Sequence, residues 1–219
     1  MKHLLEADSI WLEFDGRKIL QSVYIKMETN CVTGLLGRNG TGKSSLLKMI
    51  FGTLRGQNQS VRWNGDFVSH PYLVKDLIRY LPQHPFVPKN LKVNQLCNMY
   101  QVSFSEMAAV FSEIKQLEKS LLGNLSGGQI RMVETLLILL SPVKFVLLDE
   151  PFTHVSPLMT ELLAEVILQQ KKQKGILLSD HAYQTVLNLS DELYLMVPIG
   201  RSVLLQNPET DLKLMGYIS

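Results

Sequence analysis

Apolar and polar residues alternate near the start of the chain, in Ile10-Trp11-Leu12-Glu13-Phe14 and again in Val23-Tyr24-Ile25-Lys26-Met27. Alternation with a period of two is typical of half-buried strands. The residues Asp15-Gly16-Arg17 between them have the composition of a turn. The segment from Ala7 to Met27 is therefore predicted to form two short strands joined by a turn.

Further along, several compact runs are apolar throughout rather than alternating, which is typical of strands buried on both faces of a mainly parallel sheet. Helical patterns at Ser44–Phe51 and Leu158–Gln170 separate them, as expected for an α/β fold with helices on both sides of the sheet. The predicted strands are Cys31–Leu36, Ser60–Asp66 (a strand and turn), Leu77–Leu81, Lys144–Asp149, Gly175–Leu178, Leu193–Val197 and Ser202–Leu205.

Residues 86 to about 141 differ in character, because their apolar residues recur at helical spacing. We interpret this segment as a mostly helical insertion in an α/β core. The chain is predicted to be one domain, 1–219, with a core of about 1–85 and 142–219. The residues that carry the helical spacing are Leu91, Leu96, Met99, Met107, Val110, Phe111, Ile114 and Leu117.

Composition restricts the classes of partner. Of 219 residues, 22 are Lys or Arg and 20 are Asp or Glu, and this near-balance gives no electrostatic footprint for nucleic acid. No apolar run approaches the ~20 residues that a membrane helix needs, so membrane spanning is not expected. Cys31 and Cys97 both lie in apolar stretches and provide no disulfide framework, which favours a reducing compartment.

A glycine-rich loop stands between the buried strand that ends near Leu36 and the following helix. It matches G-x-x-x-x-G-K-[ST] in full, a loop whose backbone N–H groups cradle phosphates. Lys43 is expected to reach the β- and γ-phosphates and Ser44 to ligate Mg²⁺. An incidental glycine turn is disfavoured by the flanking strand and helix. The predicted binding residues are Gly37, Arg38, Asn39, Gly40, Thr41, Gly42, Lys43, Ser44 and the adjacent Ser45.

Two carboxylates, Asp149 and Glu150, follow the apolar run Phe145–Leu148 where a strand reaches the edge of the sheet. Adjacent strand residues point to opposite faces, so the two are expected to have different roles. Asp149 suits a magnesium ligand and Glu150 a base that orients or deprotonates the attacking water. A solvated strand end is the alternative, and the phosphate loop makes it the weaker one.

Ser126, Gly127, Gly128 and Gln129 precede a long apolar stretch. Ser126 followed by Gln129 is a capping box, which predicts a helix start. Paired glycines are poor helix formers and make sense where a ligand approaches the backbone closely. A second phosphate-binding element is therefore plausible here, because helix N-termini attract anions.

Together, Gly37–Ser44, Leu125–Gln129, Phe145–Glu150 and His181 stand in the order and approximate spacing of an ABC-type ATPase subunit, and the resemblance covers essentially the whole chain. The sequence Leu-Ser-Gly-Gly-Gln is diagnostic of that family when it occurs together with the other motifs. The resemblance implies a P-loop NTPase core of ABC type with a short antiparallel β subdomain and an inserted helical subdomain.

The resemblance also assigns residues that the sequence alone would not. Gln83 corresponds to the loop glutamine that senses Mg²⁺ and the attacking water, and His181 to the switch histidine that contacts the γ-phosphate. Phe14 resembles the aromatic residue that stacks on adenine, although inward packing is an equal alternative. The implied cofactors are ATP and Mg²⁺, with Ser44, Gln83 and Asp149 around the metal.

In the family, two subunits bind head to tail, so that the signature turn of one closes over the phosphate loop of the other. The implied partners are a second ATPase subunit, with a homodimer expected, and a transmembrane permease. The permease would dock in the groove after Gln83 and hold the chain at the cytoplasmic face of the membrane. Candidate groove residues are Phe86, Val87, Leu91, Met99 and Tyr100.

One loop departs from the family pattern. Ser156 stands where an aspartate that helps communication across the dimer is expected, and His154 replaces a small residue. Subunit coupling is therefore an open point of the resemblance.

Three functions follow as hypotheses. The first is an ATP-hydrolysing subunit that powers an ABC transporter. The second is a soluble ABC-type ATPase that acts in assembly or regulation without a permease. The third is a nucleotide-gated binding module with weak hydrolysis. The same motifs serve all three, and neither the cargo nor the direction of transport follows from them.

Overall fold

A computed structural model describes residues 2–198 and 200–218. The first two strands are longer than the sequence pattern predicts: β1 covers Leu4–Phe14 and β2 covers Arg17–Glu28. With β4 (Asn58–Trp63) and β5 (Asp66–Phe67) they form a four-stranded antiparallel sheet in the order β2-β1-β4-β5. The alternating burial of β2 confirms that one face of this sheet is packed against the core.

The second sheet has six strands in the order β10-β9-β3-β8-β7-β6. The five strands from β9 to β6 are parallel, and β10 pairs antiparallel with β9. All residues of β7 and β8 are buried, as their uninterrupted apolar sequences predict. The strands are β3 (Cys31–Gly37), β6 (Ile78–Leu81), β7 (Phe145–Asp149), β8 (Gly175–Ser179), β9 (Glu192–Val197) and β10 (Arg201–Leu204).

The part of the chain that the structure describes, 2–198 and 200–218, contains seven α-helices. Helix α1 spans Lys43–Phe51 and α5 spans Pro157–Lys171, each within two residues of the helix predicted from sequence. The others are α2 (Val93–Tyr100), α3 (Phe104–Val110), α4 (Gly127–Leu140), α6 (Tyr183–Leu189) and α7 (Pro208–Leu214). Within residues 2–198 and 200–218, none of these helices combines the length and apolar character needed to cross a bilayer.

The helical spacing from Met107 to Leu117 does not correspond to one continuous helix. Helix α3 ends at Val110, Phe111 adopts extended backbone angles, and Ser112–Leu117 forms a 3₁₀ helix. Phe111 and Ile114 are both buried. The apolar positions of this stretch are therefore buried by two short helical segments joined by one extended residue.

Two hydrophobic cores lie on either side of the parallel sheet. One joins the antiparallel sheet, α1 and residues of one sheet face, including Leu35, Phe145 and Leu177. The other joins the opposite face to α4, α5 and the helical segment, including Leu36 and Leu148. Because strand side chains alternate between faces, neighbouring residues of one strand contribute to different cores. The parallel sheet is therefore packed against a hydrophobic core on each of its two faces.

Candidate active site

The loops that follow four neighbouring parallel strands meet at one edge of the sheet. The phosphate loop follows β3, His181 follows β8, Asp149 and Glu150 end β7, and Gln83 follows β6. Carboxyl ends of parallel strands share one edge, where α/β proteins bind ligands. They surround a cavity of about 450 Å³ lined by Phe14, Arg17, Ile19, Asn39, Gly40, Gly42, Lys43, Ser44, Ser45, Gln83, Glu150 and His181.

The phosphate loop turns directly into α1. Gly42 caps this helix with φ +93°, and a Cβ atom there would approach Leu20 Cδ2 to 2.7 Å, so both conformation and space require glycine. Lys43 is 7% exposed, and its Nζ donates to the carbonyls of Gly37 (2.7 Å) and Arg38 (3.3 Å). Burial lowers the pKa of Lys43, and the nearby carboxylates oppose that shift. A phosphate here would stabilise the ammonium form.

Three predicted loop residues do not line the cavity: Gly37, Arg38 and Thr41. The Arg38 guanidinium donates to the carbonyl of Gly216 at 2.9 Å, and Thr41 Oγ1 donates to the Arg38 carbonyl at 2.8 Å. These side chains thus brace the loop from outside.

Asp149 is buried at 1% exposure, and its Oδ2 accepts a hydrogen bond from the Tyr80 hydroxyl at 3.0 Å. Burial raises the pKa of Asp149, whereas the nearby hydroxyls of Ser44 and Tyr80 lower it. Its other oxygen, Oδ1, is buried without a hydrogen bond of normal geometry among the described residues. A free buried carboxylate oxygen beside a serine hydroxyl suits a hard cation such as Mg²⁺, which commonly takes one or two carboxylates and phosphate oxygens.

Glu150 joins residues that the sequence leaves far apart. Its Oε2 accepts from Gln83 Nε2 at 2.9 Å and from Thr153 Oγ1 at 3.3 Å, and its Oε1 lies 2.8 Å from His181 Nε2. The side chain is 6% exposed, and the backbone is held at φ +54°. The predicted catalytic residues Gln83, Glu150 and His181 therefore form one contiguous group at the cavity.

The signature turn lies away from this cavity, since none of Ser126, Gly127, Gly128 and Gln129 lines it. The predicted capping box is present: Gln129 N donates to Ser126 Oγ (3.3 Å), and Ser126 N donates to Gln129 Oε1 (3.0 Å). Ser126 and Gly127 are exposed, and a Cβ on Gly127 would meet nothing within 4 Å. A Cβ on Gly128 would lie 3.1 Å from the His154 carbonyl. The exposed turn is therefore open to a second molecule.

The structure shows the local conformation of the two unusual residues in the loop that departs from the family pattern. His154 adopts φ +63°, a left-handed conformation that glycine accepts most readily. Ser156 caps α5, because its Oγ accepts from Met159 N at 3.3 Å. Serine and aspartate are both good N-cap residues, so the exchange preserves this helix start.

Phe14 is 48% exposed and borders the cavity, so the alternative of inward packing is not what the structure shows. Three residues of the site were not predicted from the sequence. Arg17 and Ile19 line the cavity, and the Tyr80 hydroxyl donates a hydrogen bond to Asp149. Arg17 and Ile19 follow Phe14 across the β1–β2 turn, so the predicted hairpin already placed them nearby. The position of Tyr80 depends on the pairing of β6 with β7, which the sequence pattern does not specify.

Comparisons with known proteins identify the family of this chain. A family model described as ABC transporter matches residues 20–153. A probable branched-chain amino acid transport ATP-binding protein from Archaeoglobus fulgidus is 34% identical, with 82% of each chain covered. A lipopolysaccharide export system ATP-binding protein from Haemophilus influenzae is 27% identical over 94% of this chain and 91% of its own.

Solved structures show the same fold. The ATP-binding subunit of an ABC transporter is similar with a TM-score of 0.85 at 23% identity, covering 97% of this chain and 95% of that one. An ATP-binding cassette in its ADP conformation is similar with a TM-score of 0.71 at 26% identity, covering 92% and 89%. With the phosphate loop, the acidic strand end and the signature turn in their places, the chain belongs to the ABC transporter ATP-binding family.

Proposed function

We propose that this protein is the ATP-binding and ATP-hydrolysing subunit that powers an ABC transporter. The observation that carries the proposal is the position of Glu150, held between Gln83 and His181 beside the phosphate loop. A carboxylate so placed is suited to accept a proton from a water molecule that attacks the γ-phosphorus. The names of the relatives, all ATP-binding proteins of transport systems, support it.

Each residue of the site has a separate role in the proposed hydrolysis of ATP. The phosphate loop, from Gly37 to Ser45, holds the triphosphate, and Lys43 balances charge on the β- and γ-phosphates. Glu150 takes the proton of the attacking water, while Gln83 orients that water. The water oxygen bonds to the γ-phosphorus as the bond between that phosphorus and the bridging oxygen breaks, and ADP and phosphate leave. His181 contacts the γ-phosphate, and Phe14 packs against the adenine.

Magnesium fits the same site. Asp149, Ser44 and Gln83 would hold the ion, which when bound neutralises charge on the phosphates. The buried Oδ1 of Asp149 and the adjacent Ser44 hydroxyl support this assignment.

The active unit is a head-to-tail dimer in which Ser126–Gln129 of one subunit complete the site of the other. This proposal is supported by the exposure of Ser126 and Gly127 and by the fact that none of the four residues lines the cavity of its own subunit. We further propose the division into a core, 1–85 and 142–219, and a helical insertion, 86–141.

A transmembrane permease is the proposed partner, holding the subunit at the cytoplasmic face of the membrane. A groove of about 420 Å³, whose lining includes Pro82 and Phe86 on either side of Gln83 in the sequence, supports this docking site. Its lining includes Phe86, Met99 and Tyr100, with Met99 64% exposed. Of the other candidates, Val87 is buried and Leu91 is not part of the lining.

The proposal is tested by Glu150→Gln, which removes the proton acceptor and keeps the shape of the side chain. We expect ATP affinity, measured by calorimetry, to stay close to that of the wild type. We expect kcat to fall on the order of 10²–10⁴-fold, the usual effect of losing a general base.

Glu113→Gln, which changes an exposed glutamate outside the cavity, is the matched control and should hydrolyse ATP at the wild-type rate. Wild-type turnover in Glu150→Gln would refute the assignment of the base. Absence of turnover in the wild type, with binding intact, would favour the nucleotide-gated binding module.

A further inference from the structure

Helix α4 carries two charged residues in its buried part, where all other residues from Ile130 to Leu139 except Thr135 are apolar. Arg131 is 5% exposed and Glu134 is 0% exposed. Buried charges are costly unless they are paired or hydrogen-bonded, so their contacts show what they hold. Neither residue lines the active-site cavity. They are three residues apart and therefore lie on the same side of the helix.

Arg131 binds three backbone carbonyls. Its Nη1 donates to Pro82 at 2.7 Å, and its Nη2 donates to Asp149 at 2.6 Å and to Glu150 at 2.8 Å. Pro82 immediately precedes Gln83. One guanidinium thus ties the start of the Gln83 loop to the peptide that carries the proposed base.

Glu134 binds the other end of the same loop. Its Oε1 accepts hydrogen bonds from the backbone N–H groups of Phe86 (2.9 Å) and Val87 (3.1 Å). Pro85 and Pro88 flank these two residues and have no N–H. Every backbone N–H between Pro85 and Pro88 is therefore bound by one carboxylate oxygen.

One turn of α4 thus holds both ends of the loop Pro82–Val87, and Gln83 lies between them. We propose that Arg131 and Glu134 are positioning residues that lock this loop to α4 and thereby set Gln83 against Glu150. The inference rests on the proposed hydrolytic function. It adds a mechanical connection, because α4 begins at the signature turn and the Phe86 side chain lines the groove. A partner that displaces the Phe86 side chain would therefore also displace the Phe86–Val87 backbone, which is hydrogen-bonded to α4.

The first test measures backbone hydrogen exchange in the segment between Pro85 and Pro88. In Glu134→Ala we expect the amides of Phe86 and Val87 to exchange roughly 10- to 100-fold faster, since each loses a charge-assisted hydrogen bond. Glu134→Gln retains an acceptor oxygen and should keep most of the protection. Unchanged exchange in Glu134→Ala would show that this contact does not hold the loop.

The second test measures hydrolysis per folded, ATP-binding chain. We expect Glu134→Ala to lower kcat roughly 10- to 100-fold with KM for ATP within about twofold, because Gln83 loses its position while the phosphate loop is untouched. Val133→Ala, at a fully buried apolar neighbour on the same helix, is the control for general loss of packing. It should retain wild-type kcat at the same folded fraction.

A double variant distinguishes a role of Glu134 in positioning Gln83 from a general role in stabilising the fold. If Glu134 acts through Gln83, adding Glu134→Ala to Gln83→Ala should change kcat by less than about twofold, because coupled residues are not additive. Full additivity, an equal kcat loss in Val133→Ala, or wild-type kcat in Glu134→Ala would each overturn the proposal. A wild-type protein that binds but does not hydrolyse ATP would instead refute the proposed function, and the exchange result would stand independently of it.

Discussion

Glu150 shows how a single residue can be fixed by several independent contacts. Its left-handed backbone, φ +54°, costs a non-glycine residue of order 1–2 kcal/mol. Its N–H is bound to the Ser179 carbonyl at 2.7 Å, and its side chain has contacts with Gln83, Thr153 and His181. Strained backbone of this kind persists where the surroundings over-determine it, and it is concentrated at functional sites.

His154 has the same backbone strain without the same set of contacts. It is exposed and adopts φ +63°. Replacing it with glycine removes the left-handed penalty but also makes the unfolded chain more flexible. The first effect is the larger one, so we expect His154→Gly to raise the free energy of unfolding by about 0.5–1 kcal/mol, measured by urea titration.

His84→Gly provides the matched control, because His84 is exposed but does not have a positive φ. There only the entropic effect acts, and the free energy of unfolding should fall. A loss of stability in both variants would mean that the strain at His154 is compensated by contacts of its side chain.

Contiguous motifs made the central residues predictable from sequence. Lys43, Ser44, Asp149 and Glu150 were identified because each stands in a short pattern with its own chemical explanation. Arg131 and Glu134 were not singled out, although two charges in an apolar helix are a signal that buried partners exist. What the sequence omits is the identity of those partners, which depends on how α4 packs against the loops.

Helices with a clear start signal in the sequence were predicted correctly, whereas short helices with few buried apolar residues were not predicted. Helices α1 and α5 follow a glycine loop and a Ser-Pro start, respectively. Helices α6 and α7 have seven residues each and bury only one or two apolar side chains, too few for a clear periodicity. The Asn207-Pro208 start of α7, with acidic residues in its first turn, was the available signal.

The C-terminal end of α4 depends on a buried lysine. Lys174 is 4% exposed, and its Nζ donates to the carbonyls of Leu139 and Ser141, the latter at 2.6 Å. These contacts satisfy groups at the helix end that no intrahelical N–H reaches. Burial lowers the pKa of Lys174 to about 8, so the charged form is disfavoured in the folded chain.

The pH dependence of stability follows from this shift. Between pH 8 and about 10.5 the unfolded chain binds more protons at Lys174 than the folded chain, so its contribution to stability increases with pH in that window. We compare the wild type with Lys174→Met by urea unfolding. The wild type should gain about 3 kcal/mol relative to the variant from pH 8 to 10.5.

Lys172→Met removes an exposed lysine from the same segment and controls for the loss of one charge. The part of the pH dependence in which Lys174→Met differs from this control is assigned to the buried position. A difference between the wild type and Lys174→Met that stays constant with pH would mean that the buried ammonium does not titrate in this window.

In the molecule as a whole, the sheet order brings four separate loops to one edge and leaves the signature turn elsewhere. Residue numbers 37, 83, 150 and 181 are distant in sequence, yet their strands are neighbours in the order β3-β8-β7-β6. Sequence motifs give the members of such a site, but only strand order gives their arrangement. The same order leaves the exposed turn at Ser126–Gln129 outside the lining of its own cavity, and in the proposed head-to-tail dimer this turn would reach the nucleotide of a second subunit.

A substitution at Gly127 provides a direct test of the proposed head-to-tail dimer. A side chain there meets no atom of its own chain within 4 Å, and its φ is not positive, so Gly127→Glu should fold normally. Its carboxylate would, however, repel the phosphates bound by an approaching subunit. In a Glu150→Gln background, which slows hydrolysis, ATP should produce a species of twice the 24.8 kDa chain mass, measured by light scattering.

Adding Gly127→Glu should abolish this dimer while ATP affinity, measured on the monomer, is unchanged. Gly127→Ala, which adds only one methyl group, should still dimerise. Dimers that persist in the glutamate variant would place the interface on another surface and refute the shared site. Loss of dimers together with loss of ATP binding would also count against it, because the turn would then belong to the subunit's own nucleotide site.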